Sequence, residues 1–231
     1  MTKTFKALSA LLNYPDGELQ NAAPEMSSMI EEETLVPADL RRELDTLIEE
    51  IATGDLYDLQ ERYIDLFDRT RSLSLHLFEH VHGESRDRGQ AMIDLKSLYE
   101  QNGLCLSAGQ LPDYLPVFLE FLSTRPLKEA RTLLGQTAHI ATGLAERLDK
   151  RGSTYAAVFR ALTVLAVLAP DTQPVEVVPE GRDTDPNDFV ALDAQWEEEA
   201  VTFGPAAAPS CKDRLVAQIR AGMRPAADLP S

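Results

Sequence analysis

Pro37-Ala-Asp-Leu40-Arg-Arg-Glu-Leu44-Asp-Thr-Leu47-Ile48-Glu-Glu-Ile51-Ala-Thr-Gly54 decides the fold class. Its apolar residues recur three and four positions apart, which gathers them on one face of a helix. Pro37 suits the first turn, where no backbone donor is needed, and Gly54 suits the end. A strand would alternate instead, and no segment of the chain alternates convincingly. No internal repeat emerges.

Upstream, Phe5, Leu8 and Leu12 share one face of a helix from about Lys3 to Leu12. Tyr14-Pro15-Asp16-Gly17 stops it, because Pro15 biases Tyr14 away from helix and Gly17 suits a turn. A broken helical region is expected from Glu18 to Glu33, interrupted near Pro24. Downstream, Asp55 can cap a helix whose Leu56, Leu59, Tyr63, Leu66 and Phe67 face inward. A short helix is expected from about Leu73 to His82, ending at Gly83. Ser85 can cap a longer one to Gln101, with Met92, Leu95 and Tyr99 on one face and Asn102-Gly103 closing it.

The helix entered at Leu111-Pro112-Asp113-Tyr114-Leu115-Pro116 is apolar nearly all round and belongs inside a bundle. Pro126 should start the longest helix, to Arg151-Gly152. Ser153 should cap the last, which Pro170 ends. The expected fold is all-α, a single helical bundle of about eight or nine helices. It spans residues 1–169. Residues 170–231 read as an acidic, Pro-rich linker and mobile tail, with ten acids and one base, Arg182, between Asp171 and Glu199. Within it, Phe189, Leu192 and Trp196 suit a short docking helix. Leu215, Val216 and Ile219, among Lys212, Arg214 and Arg220, suit a weak amphipathic one.

The 231 residues carry a formal charge of -16. A protein this acidic repels phosphate backbones, so nucleic acid is excluded as a partner and a basic peptide is favoured. Cys105 and Cys211 lie in no metal or redox spacing and read as reduced thiols. Asn13, Asp16 and Glu18 interrupt any apolar leader. The most apolar run, Tyr155 to Ala169, is shorter than the roughly 20 residues of a spanning helix. A soluble, cytoplasmic protein without direct membrane insertion is expected.

The residues that invite chemistry lie between Glu61 and Leu95. Three of the four histidines, His76, His80 and His82, fall within seven residues there, flanked by Arg62, Arg69, Arg71, Arg86 and Arg88. His76-Leu-Phe-Glu79-His80 spells the inverted zinc-protease motif. On a helix both histidines could hold zinc, with Glu79 as base. Nothing nominates a third ligand, and His139 has no carboxylate at ligand spacing. The competing reading is a partly buried polar seam. There is no phosphate loop, dinucleotide turn or nucleophile elbow. Asp58, Glu61 and Asp65 form an acidic stripe, and Glu25 to Asp65 holds 13 acidic and 3 basic residues. That field suits a solvated face or a dock for a cationic partner.

Glu61-x-Tyr63-x-x-Leu66-Phe67, followed by Pro112-Asp113-Tyr114-Leu115-x-x-x-Leu119-Glu120-Phe121-Leu122, resembles the all-helical chaperones dedicated to molybdenum enzymes. Many members carry Gly-Pro shortly after the Leu-Phe pair. Here Asp68-Arg69-Thr70 stands instead, and the string from there to Gly89 resembles the branch that assembles respiratory nitrate reductase. Leu11-Leu12-x-Tyr14-Pro15-Asp16 fits the same branch. The resemblance covers roughly residues 5 to 169.

It implies a helical bundle that binds the N-terminal segment of the nitrate reductase catalytic subunit. That segment would be held until molybdenum cofactor and an iron–sulfur cluster are inserted, with cofactor-biosynthesis proteins as further partners. It implies no catalytic residue, resident cofactor or metal. A basic amphipathic segment would lay its apolar face in a groove and its cations on the rim. Groove candidates are Tyr63, Leu66, Phe67, His76, His80, Tyr114, Phe118 and Phe121, though the aromatic ones suit an ordinary core as well. Rim candidates are Asp58, Glu61, Asp65 and Glu120. The Arg69/Arg71 and Arg86/Arg88 turns suit either local acids or an anionic partner. A zinc-dependent hydrolase on His76, Glu79 and His80 is the alternative function.

Overall fold

The computed structural model describes residues 2–81, 85–107 and 109–166. Among them are nine α-helices: α1 (Lys3–Leu11), α2 (Gly17–Glu33), α3 (Ala38–Thr53), α4 (Leu56–Tyr63), α5 (Ser85–Gln101), α6 (Leu115–Ser123), α7 (Leu127–Gly135), α8 (Ala138–Lys150) and α9 (Ala156–Leu165). A π turn (Ile64–Asp68) and two 3-10 turns (Arg71–Leu73 and Leu77–His80) follow α4. The described residues contain no strand, and an isolated antiparallel bridge pairs His76 with Tyr114. The expected boundary at residue 170 and both short tail helices lie outside the described residues, as does His82.

The core forms where the apolar faces meet. α6 buries eight of its nine residues, all but Glu120, as its nearly all-round apolar sequence required, and α1 lies across it. The Ser9 hydroxyl sits in that contact and donates to the Pro116 carbonyl at 2.7 Å, so the close approach leaves no polar atom stranded. α3 packs on α2 and α9, and α8 packs on α9. Leu40, Leu44, Leu47, Ile48 and Ile51 of α3 are all buried, as their spacing predicts.

Side chains from one helix complete the ends of another. The first amides of α1 have no partner within the helix. Glu33, at the end of α2, accepts from the Lys3 and Thr4 amides at 2.8 Å each and from the Thr4 hydroxyl at 2.6 Å. Burial pushes the Glu33 carboxyl up, but these donors and Lys3 outweigh it and hold the carboxyl below its ordinary value. Glu33→Ala should therefore cost about 1 kcal/mol at neutral pH, read by urea unfolding. A lowered carboxyl stabilises above its unfolded value and stops doing so as pH falls through its folded one. The difference between Glu33→Ala and the parent should accordingly shrink in acid.

At the other end of α2, Gln20 donates to the Ile51 and Gly54 carbonyls at 3.0 and 2.9 Å and closes α3. A Cβ at Gly54 would stand 2.6 Å from the Glu50 carbonyl oxygen, so the α3–α4 junction needs glycine for space. Gly103 and Gly152 end α5 and α8 with φ of 84° and 65°, where glycine avoids the strain of a side chain.

Four expectations are corrected. α2 runs unbroken through Pro24, because Leu19, Ala23, Met26 and Ile30 bury one continuous face that outweighs one lost backbone bond. No helix spans Leu73 to His82. There the backbone pairs with a distant segment: the Leu77 amide donates to the Asp113 carbonyl at 2.9 Å, and the Leu115 amide to the Leu75 carbonyl at 2.8 Å. The helix expected from Pro126 to Arg151 is two, α7 and α8. Thr137 sits buried between them at φ -107°, ψ 3°, its hydroxyl bonded to the Leu134 carbonyl at 3.0 Å, so a side chain competes with the helical ladder. The last helix begins at Ala156, and the Ser153 hydroxyl caps nothing.

Candidate functional site

Asp55 accepts from the amides of Tyr57 and Asp58 at 2.9 and 3.3 Å and starts α4. Leu59 and Tyr63 turn inward from it. The chain then widens into the π turn, where the Arg69 amide reaches the Ile64 carbonyl at 2.9 Å and the Thr70 hydroxyl takes the Asp65 carbonyl at 2.8 Å. Such π turns recur at functional sites. Leu66 and Phe67 stay buried through it, while Asp58, Glu61 and Asp65 are exposed along the outside. Asp65 pairs with Arg69 at 2.7 Å, whereas Asp58 and Glu61 make no ion pair among the described residues.

Beside this acidic stripe lies an open groove of about 360 Å³, lined by Tyr14, Tyr57, Glu61, Ile64, Asp65 and Arg69. Tyr57 is 81% exposed and Tyr14 45%, so both rings present surface to solvent. Tyr14 leans edge-on against Tyr63 with ring centroids 5.6 Å apart, and Gln60 donates to the Pro15 carbonyl at 2.8 Å. These contacts hold the Tyr14 turn as one wall and α4 as the other. The groove therefore offers aromatic and aliphatic surface between carboxylates.

Beneath it the polar seam is closed by Pro112-Asp113-Tyr114. The Tyr63 hydroxyl donates to the Leu12 carbonyl at 2.9 Å, so it accepts from Tyr114 at 2.9 Å. Tyr99 donates to the Pro112 carbonyl at 2.9 Å. Asp113 is fully buried. One carboxylate oxygen accepts from His76 Nδ1 at 3.1 Å and the other from the Phe78 amide at 3.3 Å, with Arg88 3.9 Å away. The Asp113 hydrogen bond holds the His76 imidazole above its ordinary value. His80 is buried with Nε2 against the Ser74 carbonyl at 2.7 Å, and burial pushes it below. Burial raises the Tyr63, Tyr99 and Tyr114 hydroxyls, so none of these phenols serves as a base near neutrality.

The structure thus separates the residues singled out in the sequence. Asp58, Glu61 and Asp65 stand at the groove or beside it. Tyr63, Leu66 and Phe67 lie under it in the core. His76, His80 and Tyr114 belong to the seam. Phe118 and Phe121 are fully buried in α6, and exposed Glu120 does not line the groove. The groove's apolar members, Tyr14, Tyr57 and Ile64, were missed. Tyr14 reads as part of a helix stop, and Tyr57 falls outside the inward face of α4, yet an outward aromatic one residue before Asp58 was a usable signal. The helix that both histidines needed to face one metal is not formed, and no group of three or more His, Cys, Asp and Glu among the described residues is placed to hold one.

The family model for the nitrate reductase delta subunit matches residues 33–161. The chain belongs to the nitrate reductase delta subunit family. It is 46% identical over 198 residues to the nitrate reductase molybdenum cofactor assembly chaperone NarJ of Escherichia coli K12, covering 85% of this chain and 83% of that protein. It is 40% identical over 201 residues to the probable chaperone NarW of the same strain, covering 86% and 83%. A probable NarJ of Bacillus subtilis 168 is 34% identical over 159 residues, covering 69% and 85%. These relatives are assembly chaperones, not catalysts, and the chain is not an enzyme. The hydrolase alternative on His76, Glu79 and His80 falls with that finding.

Proposed function

We propose that this chain is a cytoplasmic chaperone that holds the N-terminal segment of an apo nitrate reductase catalytic subunit. It keeps that subunit receptive until molybdenum cofactor and an iron–sulfur cluster are inserted, and cofactor-biosynthesis proteins are its further partners. One observation supports the docking site: exposed Tyr14 and Tyr57 share an open groove with the unpaired carboxylate of Glu61. A short amphipathic helix laid there would bury its apolar face on the two rings and Ile64 and set its cations against Glu61 and Asp58. No helix among the described residues is long and apolar enough to cross a membrane, which fits a partner that meets its client before membrane assembly.

Titration calorimetry with the client N-terminal peptide tests this. Tyr57→Ala should weaken binding about tenfold, the scale of an aromatic anchor, without changing stability measurably. Glu61→Lys should weaken it by up to about fivefold and flatten its salt dependence, since an exposed pair contributes about 0–1 kcal/mol and salt screens it. Unchanged affinity in both variants moves the client off this groove.

A further inference from the structure

The chain carries a second segment with the chemistry that the groove attracts. Residues 212–224 read Lys-Asp-Arg-Leu-Val-Ala-Gln-Ile-Arg-Ala-Gly-Met-Arg, with four bases and one acid in a protein of net charge -16. At the helical period, Leu215, Val216, Ile219 and Met223 fall within an arc of about 100°, and Arg214, Arg220 and Arg224 lie outside it. We infer that residues 212–224 dock in the Tyr14–Tyr57 groove of their own chain as a stand-in for the client, which must displace them. The inference rests on the groove being the client site.

Charge selects this occupant. The other apolar stretch beyond the helices, Phe189 to Trp196, sits among Asp188, Asp193 and the glutamates 197–199, and the stripe of Asp58, Glu61 and Asp65 repels it. Geometry permits the contact. α9 starts beside Tyr155, whose ring lies 5.1 Å from that of Phe67 directly beneath the groove. Ten helical residues carry the chain only about 15 Å from there. The 45 residues between Ala166 and Lys212, ten of them acidic, are long enough to return, since a chain can reach up to about 3.3 Å per residue. A tether of this length gives an effective concentration on the order of a millimolar, so even a weak docking site is occupied. Those acids also keep the connecting stretch off the groove. The arrangement lowers affinity for weakly basic wrong peptides and leaves the proper client, with better contacts, to win.

Photo-crosslinking in the full chain tests the inference without any client. Benzoylphenylalanine replaces Tyr57 in one variant and Tyr14 in a second, so that one perturbed position does not decide the result. After irradiation the cross-linked tryptic peptides are read by mass spectrometry. Cross-links to residues 212–224 are expected, lost in the triple variant R214E/R220E/R224E. Mixed light and heavy isotope-labelled chains should show them within one chain. No cross-link to 212–224 at either position, or cross-links only between chains, overturns the inference. Adding the nitrate reductase N-terminal peptide should suppress the cross-link, and the triple variant should bind that peptide about three- to tenfold more tightly. If the cross-link forms but the peptide neither competes nor gains affinity, the docked segment stands and the client reading of the groove fails.

Discussion

Asp113→Ala is expected to lower the unfolding free energy by about 3 kcal/mol, more than loss of either His76 or Arg88. The carboxylate is wholly buried and serves three partners at once: His76 Nδ1, the Phe78 amide and, at longer range, Arg88. Its own backbone carbonyl receives the Leu77 amide. Removing the side chain strands a buried amide and takes from His76 its hydrogen-bond acceptor, while Arg88 keeps Glu79 at 3.7 Å. Asp113→Asn keeps an acceptor for the Phe78 amide and should cost about half as much. Urea unfolding of both variants checks the order. A loss below about 1 kcal/mol in Asp113→Ala would mean that residues 74–80 are held by their backbone contacts alone.

The same cluster sets a pH dependence with a definite sign. The Asp113 hydrogen bond raises His76, so its contribution is fully present below the unfolded histidine value and is lost as pH rises through the folded one. His80 and His139 are pushed down by burial, so their contributions are present above the unfolded value and are lost as pH falls. The two signs oppose each other near pH 6–7, where unperturbed histidine titrates. The comparison must therefore be between parent and His76→Gln at each pH. Their stability difference should grow from pH 8 to pH 6, and a flat difference would show that Asp113 does not hold the imidazole charged.

How far the sequence disclosed this molecule depended on whether local pattern or distant partners decided each element. α1, α3, α4 and α6 were legible because their apolar spacing and end signals agree with the core they join. Leu73 to His82 misled because its amides and carbonyls are completed by residues 113–115, some forty positions on, which no local window contains. Pro24 misled in the opposite direction, since its penalty is real but smaller than the burial on either side of it. The acidic stripe of the groove was readable from the sequence, and its aromatic floor was not. Tyr57 fell outside the inward face of α4, but only the turn at Tyr14, distant in sequence from it, places a wall beside that ring.

Phe67, in the π turn after α4, decides between a core and a groove reading of the aromatic residues there. Its ring lies 5.0 Å from Tyr63 and 5.1 Å from Tyr155, and the side chain is buried. Phe67→Ala should therefore cost about 3–5 kcal/mol, the transfer term plus a cavity that the packed Tyr155 and Tyr63 cannot fill. That variant alone tells little about binding, because an unfolded bundle also fails to bind. Phe67→Leu keeps most of the volume and should cost under about 1.5 kcal/mol. In the folded leucine variant, client-peptide affinity should match the parent, because the rings that meet the peptide are Tyr14 and Tyr57. A leucine variant that keeps its melting temperature but loses the peptide would show that the Tyr14 wall swings away on binding and presents Phe67 directly. Tyr63 would then be uncovered with it, because the same wall lies edge-on against its ring.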